Sequence, residues 1–325
     1  MPLPTYPFQR SEYFIAPAAP SVALATALPA RLDDISDWGT RLAWTPRSPE
    51  LDADIENELA SLPPESWLIF TDDAGIAAPV VEKLRTAGHR LVTVRAGDTF
   101  RRLGEGAYQL APERGREGYD LLIQDLIARG TLPTRIAHFW LCDDRVRPGS
   151  SPFQRNLEQG FYSLTFLAQA MGAEGLAGLP VTVFTTGAAR LRDEPLPAPE
   201  KALVAGPARV IPREWPGASV RVLDLPPGGN TLAALEELLA PPADTTALWR
   251  GRRYQARLRP APLPDPETAP ADLPQGAVWV ITGGFGGIGL TVAEDLMRRT
   301  GAKIALIART PLPDRADWPA ILRDP

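Results

Sequence analysis

The sequence predicts an α/β protein: a mostly parallel sheet covered on both faces, followed by one further strand–helix–strand unit. Three observations carry that prediction. From residue 66 onward, short apolar runs alternate with segments of helical apolar periodicity, the pattern of parallel strands joined by helical crossovers. A glycine-rich turn, Thr282-Gly283-Gly284-Phe285-Gly286-Gly287-Ile288-Gly289, stands between a strand-like run and a helix-like run. The segment around that turn has a degenerate copy much earlier in the chain.

The elements follow in order. Residues 1–30 read as an extended, proline-punctuated linker, and Thr40 to Trp44 as a short strand. Ser66 to Thr71 is the first core strand, Ile76 to Ala87 its helix, and Arg90 to Arg95 the next strand. Tyr119 to Ala128 carries Leu121, Leu122, Ile123, Leu126 and Ile127, a helical apolar face. Arg135 to Leu141 is a buried strand, Asn156 to Met171 a long helix, and Val181 to Thr185 a strand. Glu200 to Ile211 is helical, Ser219 to Leu225 a strand, Leu232 to Leu239 a helix, and residues 245–258 a hairpin-like strand. The 36 prolines cluster between these elements, and the last cluster, Pro260 to Pro274, sets a boundary near residue 274.

Beyond that boundary, Ala277 to Ile281 is a strand, Leu290 to Met297 a helix, and Lys303 to Ala308 a second strand. Glycines in the turn between them permit tight turning and close approach of backbone to a pyrophosphate. The helix start adds free N–H groups and the positive end of its dipole. Arg309 lies 20 residues after Gly289, at the end of the second strand. An acidic residue there suits the ribose of NAD, whereas an arginine suits the extra phosphate of NADP. Arg309 also reads as a plain solvated strand-end charge.

The copy runs from Trp67 to Ala87 and aligns without gaps on Trp279 to Arg299. Trp67 meets Trp279, Ile69 meets Ile281, Gly75 meets Gly287, and Ile76 meets Ile288. Val80, Glu82 and Leu84 meet Val292, Glu294 and Leu296, and after one extra residue Gly88 meets Gly301. The first copy lacks the binding chemistry. Thr71 replaces Gly283, Ala77 replaces Gly289, Ala96 stands opposite Arg309, and Asp72 and Asp73 place carboxylates where a diphosphate would be repelled. The first copy is therefore expected to keep the fold and bind no nucleotide.

Composition bounds the rest. The 325 residues are 44% hydrophobic and 22% charged with net charge −5, which favours neither nucleic acid nor an anionic membrane surface. Cys142 is the single cysteine, so no disulfide framework exists, and it reads as a small core residue. Two histidines and one cysteine make no zinc site. No apolar run reaches membrane-spanning length and no signal peptide is evident, so the expected setting is cytoplasmic. Asp143-Asp144 could do acid–base or metal work but read as solvated turn residues. Trp38, Trp44, Trp140 and Trp249 could form a ligand cage but suit packing.

At this point the residues resemble a known family. Leu3-Pro4-Thr5-Tyr6-Pro7-Phe8-Gln9-Arg10 resembles the linker that follows the acyltransferase domain in modular type I polyketide synthases. Pro199-Glu200-Lys201-Ala202, Gly206 to Glu214, Val222-Leu223-Asp224-Leu225 and Leu248 to Leu258 resemble the structural subdomain of the ketoreductase in those enzymes, and Thr282 to Gly289 the start of its catalytic subdomain. The resemblance implies a Rossmann-like structural subdomain that binds nothing, followed by the first βαβ of a second Rossmann fold that binds NADPH. It divides the chain into a linker (1–30), the structural subdomain (31–274) and a truncated start of the NADP-binding subdomain (275–325). Gly283, Gly284, Phe285, Gly287, Ile288 and Gly289 would surround the pyrophosphate, and Arg309 would meet the 2′-phosphate. The implied reaction is reduction of the β-keto group of an acyl chain tethered to an acyl carrier protein, beside a neighbouring acyltransferase and the remaining ketoreductase subdomain.

One departure is large. The family's chemistry uses a serine and a tyrosine on the carbonyl oxygen, a lysine that lowers the tyrosine pKa, and an asparagine for the proton relay. A tyrosine often lies four residues before that lysine, but Pro79, Pro197 and Arg299 precede Lys83, Lys201 and Lys303. No catalytic or metal-binding residue is named, and the chain alone is expected to be inactive. The competing expectation is a non-catalytic scaffold module within the synthase.

Overall fold

The computed structural model describes residues 32–48, 55–143, 151–192, 195–240, 246–264, 273–309 and 311–323. The expected linker at 1–30 and Asp144 lie outside them. The chain forms two compact units, residues 40–261 and residues 1–39 with 262–325.

In the larger unit the elements are β1 (Thr40–Arg47), α1 (Ile55–Ser61), β2 (Ser66–Thr71), α2 (Ala77–Thr86), β3 (Arg90–Ala96), β4 (Arg101–Gly104) and β5 (Ala107–Leu110). Then come α3 (Glu117–Ala128), β6 (Arg135–Leu141), α4 (Pro152–Asn156), α5 (Ser163–Ala173) and β7 (Pro180–Thr186). The unit closes with α6 (Ala205–Glu214), β8 (Ser219–Leu225), α7 (Thr231–Leu239), β9 (Thr246–Trp249) and β10 (Arg252–Pro260). The strands form one sheet in the order β1-β10-β9-β8-β7-β6-β2-β3-β5-β4. Every pair from β9 to β5 is parallel, and the edges β1, β10 and β4 are antiparallel.

Read in chain order, the parallel strands run 3-2-1-4-5-6-7, the doubly wound arrangement in which order reverses beside the first strand. That reversal lies between β2 and β6. Strand alternation explains the two helical layers. Trp67 and Ile69 pack with α1, α2 and α7 on one face, while Leu68 and Phe70 pack with α3, α5 and α6 on the other.

Three local features depart from the sequence reading. The helix expected over Asn156 to Met171 is broken by a π-helical turn, Leu157–Tyr162. Gly160 lies in that turn, and a Cβ there would stand 2.8 Å from a Leu141 methyl, so the widened turn fits tightly over the end of β6. The helix expected over Glu200 to Ile211 begins as a 3-10 segment, Pro199–Val204, before α6. The hairpin of β4 and β5 carries no signal in the sequence, because every residue of β4 is exposed and no apolar alternation marks it.

The second unit holds β11 (Val278–Thr282), α8 (Gly287–Thr300), β12 (Lys303–Ile307) and α9 (Trp318–Ile321). Its two strands are parallel. Trp279, Ile281, Ile304 and Leu306 turn toward Ala293 and Leu296 of α8, whereas Val278 and Val280 on the opposite face are 70% and 60% exposed. The two copies share one register: Ser66 pairs with Arg90, and Val278 with Lys303. Gly88 and Gly301, matched in the alignment, both follow their helices in the left-handed region, at φ 86° and 62°.

His138 is fully buried between the layers, stacked on Phe70 at 4.8 Å and edge-on to Trp140. Its Nε2 meets Ser163 Oγ at 2.9 Å. Burial pushes its pKa down to about 3, and burial also lowers His89, the other histidine. Unfolded histidine takes up a proton near pH 6.5 that the folded ring refuses, so this stability is complete above that pH and is lost as pH falls toward 3. The loss for His138 is about 1.4 kcal/mol per pH unit below the unfolded value. Urea unfolding at about pH 7 and about pH 5.5 should therefore give a lower midpoint at the acid pH, and an unchanged or higher midpoint would contradict the assignment.

Candidate functional site

The site is built on the passage from β11 into α8. Gly283 leaves the strand at φ 67°, a conformation a side chain would strain. Gly284 N–H donates to Ile307 O at 3.1 Å, which ties the turn to the end of β12. A Cβ on Gly284 would lie 2.7 Å from Leu306 Cβ. Gly286 N–H donates back to Gly283 O at 3.0 Å, and Gly286 then caps the helix with extended backbone and no side-chain cap.

Gly289 is pressed against the turn itself: a Cβ there would meet Gly283 O and Gly284 Cα, each at 2.8 Å. Gly287 differs, because a Cβ there meets nothing within 4 Å. Two glycines thus close the backbone on itself, and a third leaves open space in front of the helix start. The first-turn amides of a helix have no intrahelical partner, and among the described residues no side chain supplies one here. That combination, donors plus room, fits an anionic diphosphate group. Ile288 is 84% exposed and Phe285 partly so. Arg309 is exposed two residues past Ile307, the residue whose carbonyl holds Gly284, and makes no ion pair among the described residues.

The copy in the larger unit has the same strand–turn–helix path and the opposite chemistry. Both oxygens of Asp72 accept from the α2 start, Oδ2 from Ile76 N–H at 2.9 Å and Oδ1 from Ala77 N–H at 2.7 Å. A carboxylate of the chain itself thus holds the place of an anion. Ile76, the counterpart of Ile288, is buried against Gly229 in the loop before α7, where an added methyl would lie 2.7 Å from Ile76 Cγ2. The expected carboxylate repulsion is thus joined by a filled donor set and by the packing of Ile76 on Gly229, while a Cβ on Gly75, like one on Gly287, meets nothing within 4 Å. An aspartate ahead of a helix is a readable capping signal, whereas the Gly229 contact joins distant segments and is not.

The remaining candidates separate. Asp143 is buried, not solvated as expected, because it follows a strand whose end is covered by the π-helical turn. Cys142 is buried in the core. Trp140 is buried with its Nε1–H on Val94 O, Trp44 donates to Arg190 O, and the Trp249 ring meets the guanidinium groups of Arg192 and Arg250, so each of these rings has packing or hydrogen-bond partners within the protein. Lys201 is buried, and its Nζ donates to Thr186 Oγ1 at 2.9 Å. Asp224 is raised by burial against the pull of Thr185 and the Ala188 and Ala189 amides it accepts from. Among the described residues no cluster of His, Cys, Asp or Glu could hold a metal, and no helix is long and apolar enough to cross a membrane.

Residues 65–228, just over half the sequence, match the family described as beta-ketoacyl synthase-like, N-terminal. The chain belongs to that family. Residues 277–324 match the family described as KR domain, which places the chain in the ketoreductase region of polyketide synthases, as its resemblance implied. It is 28% identical over 321 residues to erythronolide synthase EryA2 of Saccharopolyspora erythraea, covering 95% of this chain and 8% of that protein. It is 30% identical over 152 residues to 6-methylsalicylic acid synthase of Aspergillus terreus, covering 45% of this chain and 8% of that one. The chain thus spans less than a tenth of these relatives. A solved structure with the adenylation, ketoreductase and pseudo Asub domains of a keto acid-selecting NRPS module superposes with TM-score 0.67 at 23% identity, over 87% of this chain and 24% of that one. An N-terminal ketoreductase from the macrolactin assembly line gives 0.60 at 19% identity, over 87% and 56%. These likenesses show the α/β fold.

Two substitutions separate the roles of the glycines. Gly289→Ala should destabilise the second unit by about 1–3 kcal/mol, since the methyl enters occupied space. Gly287→Ala should be neutral or slightly stabilising, by up to about 1 kcal/mol, through helix propensity. Hydrogen exchange of the β11, α8 and β12 amides reads both, and equal damage by the two would contradict the geometry. In the larger unit, Asp72→Ala should lower stability by about 1 kcal/mol in a thermal unfolding scan, and no change would show that the α2 amides do not need the carboxylate.

Proposed function

We propose that the chain supplies the non-binding structural half and the pyrophosphate turn of an NADPH-dependent ketoreductase. The substrate is the β-keto group of an acyl chain on an acyl carrier protein, within a cytoplasmic synthase that also carries an acyltransferase and the remaining ketoreductase subdomain. The observation that carries this reading is the uncapped start of α8 facing open space at Gly287. In this reading the linker is 1–30, the structural subdomain 31–274 and the NADP-binding part 275–325.

When bound, NADPH supplies the hydride that reduces the ketone. The chain's own residues hold the cofactor's diphosphate. Gly283 turns the backbone, Gly284 fixes it to β12, and Gly289 lets helix and turn close together. Gly287 leaves room, Ile288 and Gly289 offer main-chain N–H groups, and Phe285 flanks the turn. Arg309 offers a guanidinium to the 2′-phosphate. No acid or base for carbonyl reduction is assigned here, because residues 290–325 contain neither tyrosine nor serine. The chain alone should show no turnover of a β-ketoacyl thioester.

A second reading, a scaffold module, is favoured for the larger unit by its Asp72-capped helix. The two readings part at the glycine turn. Fluorescence titration should give saturable NADPH binding that Gly287→Asp abolishes, while Arg309→Ala weakens NADPH about 10–100-fold toward the NADH value. Absence of NADPH binding by the native chain would favour the scaffold, and clear loss of NADPH absorbance with a β-ketoacyl thioester would contradict the assignment of no catalytic residue.

A further inference from the structure

One face of the β1–β10 pair runs out beyond the helix that neutralises it. Residues 253, 255, 257 and 259 of β10 share that face with their partners 47, 45, 43 and 41 of β1. Arg253 is buried there, with Nη2 3.0 Å from Glu236 Oε2 and Nε 3.6 Å from Glu237 Oε2, both carboxylates from α7. Farther along the same face stand Arg257, Arg259 and Arg41, all exposed. Arg41 and Arg259 are directly opposite in register. Like charges in that relation weaken a strand pair. Arg257 donates to the neutral amide of Gln255 at 2.9 Å, and none of the three has a carboxylate at ion-pair distance among the described residues. The opposite face at the same level carries Leu42 against Leu258, both exposed. Within the described residues of this unit the end of the ribbon is therefore exposed on both sides, on a chain whose net charge is −5.

We propose that this arginine strip docks a carboxylate-rich segment of a partner polypeptide, continuing the row of glutamates that α7 lays over Arg253. The same strand face already shows the arrangement, glutamates over arginine, where the chain provides its own acidic helix. A nucleic acid is disfavoured by the acidic chain as a whole. The inference stands independently of cofactor binding at the glycine turn.

The test uses the full chain and a fluorescein-labelled peptide of alternating glutamate and alanine, followed by anisotropy at low ionic strength, where such contacts are least screened. Saturable binding is expected, weakened at least about tenfold by Arg41→Gln with Arg259→Gln. Arg101→Gln with Arg102→Gln, on the far edge strand β4, should leave affinity within about twofold. No peptide binding, equal loss in the two double variants, or stronger displacement by tripolyphosphate than by unlabelled peptide of equal charge would overturn the proposal. A second measurement does not need the peptide. Arg41→Glu places a carboxylate opposite Arg259 and should raise the thermal midpoint, whereas an unchanged or lower midpoint would show that the arginine pair is not under repulsion and would overturn it as well.

Discussion

A helix start must find acceptors for its first amides, and this chain answers that demand in two opposite ways on the same scaffold. At α2 the answer is internal: Asp72 places one oxygen on each of two consecutive amides. At α8, among the described residues, no side chain caps the helix, and a Cβ on Gly287 meets nothing within 4 Å. One strand–helix–strand path thus yields a self-sealed corner in one unit and an anion-ready corner in the other. The functional reading depends on that difference more than on any single residue.

The surroundings of each corner agree with its chemistry. The sealed corner sits beside the point where strand order reverses, where a doubly wound sheet ordinarily opens a crevice. Ile76 against Gly229 occupies space there. Behind it the unit is cross-braced by buried polar groups. Glu237, fully buried on α7, approaches Arg221 of β8 and Arg253 of β10, and accepts from Thr246 of β9. Breaking such a buried group leaves uncompensated charge, so the brace favours one fixed arrangement. Among the described residues of the second unit, the ion pairs of Asp295 with Arg298 and Arg299 are exposed. Its helix covers one face of two strands, and Val278 and Val280 remain open on the other. A well-braced unit suits support, and a lightly covered one suits engagement with further groups.

Much of this was legible in the sequence because the signals were local. Ser66–Thr71, Arg135–Leu141 and Ser219–Leu225 are apolar runs with clear ends, and each became the strand it suggested. The alignment of Trp67 with Trp279 carried over into a common strand register. The glycine turn could be placed because Gly283 and Gly289 serve steric needs within a few residues of themselves. What escaped was set by distant contacts or by missing periodicity. The π-helical turn answers to Leu141 beneath it, and β4 has no buried side to betray it. Asp143 looked like a solvated turn residue because nothing nearby in sequence announces its cover. Asp72 is both a charge that repels a diphosphate and the ligand of its own helix, a contact four and five residues along the chain.

The most direct measurement is backbone amide NMR of the chain during titration with NADP+. The account predicts progressive shifts for Gly287, Ile288 and Gly289, with Ile76 and Ala77 unmoved behind Asp72. Shifts at Ile76 and Ala77, with the amides of residues 287–289 unresponsive, would contradict it.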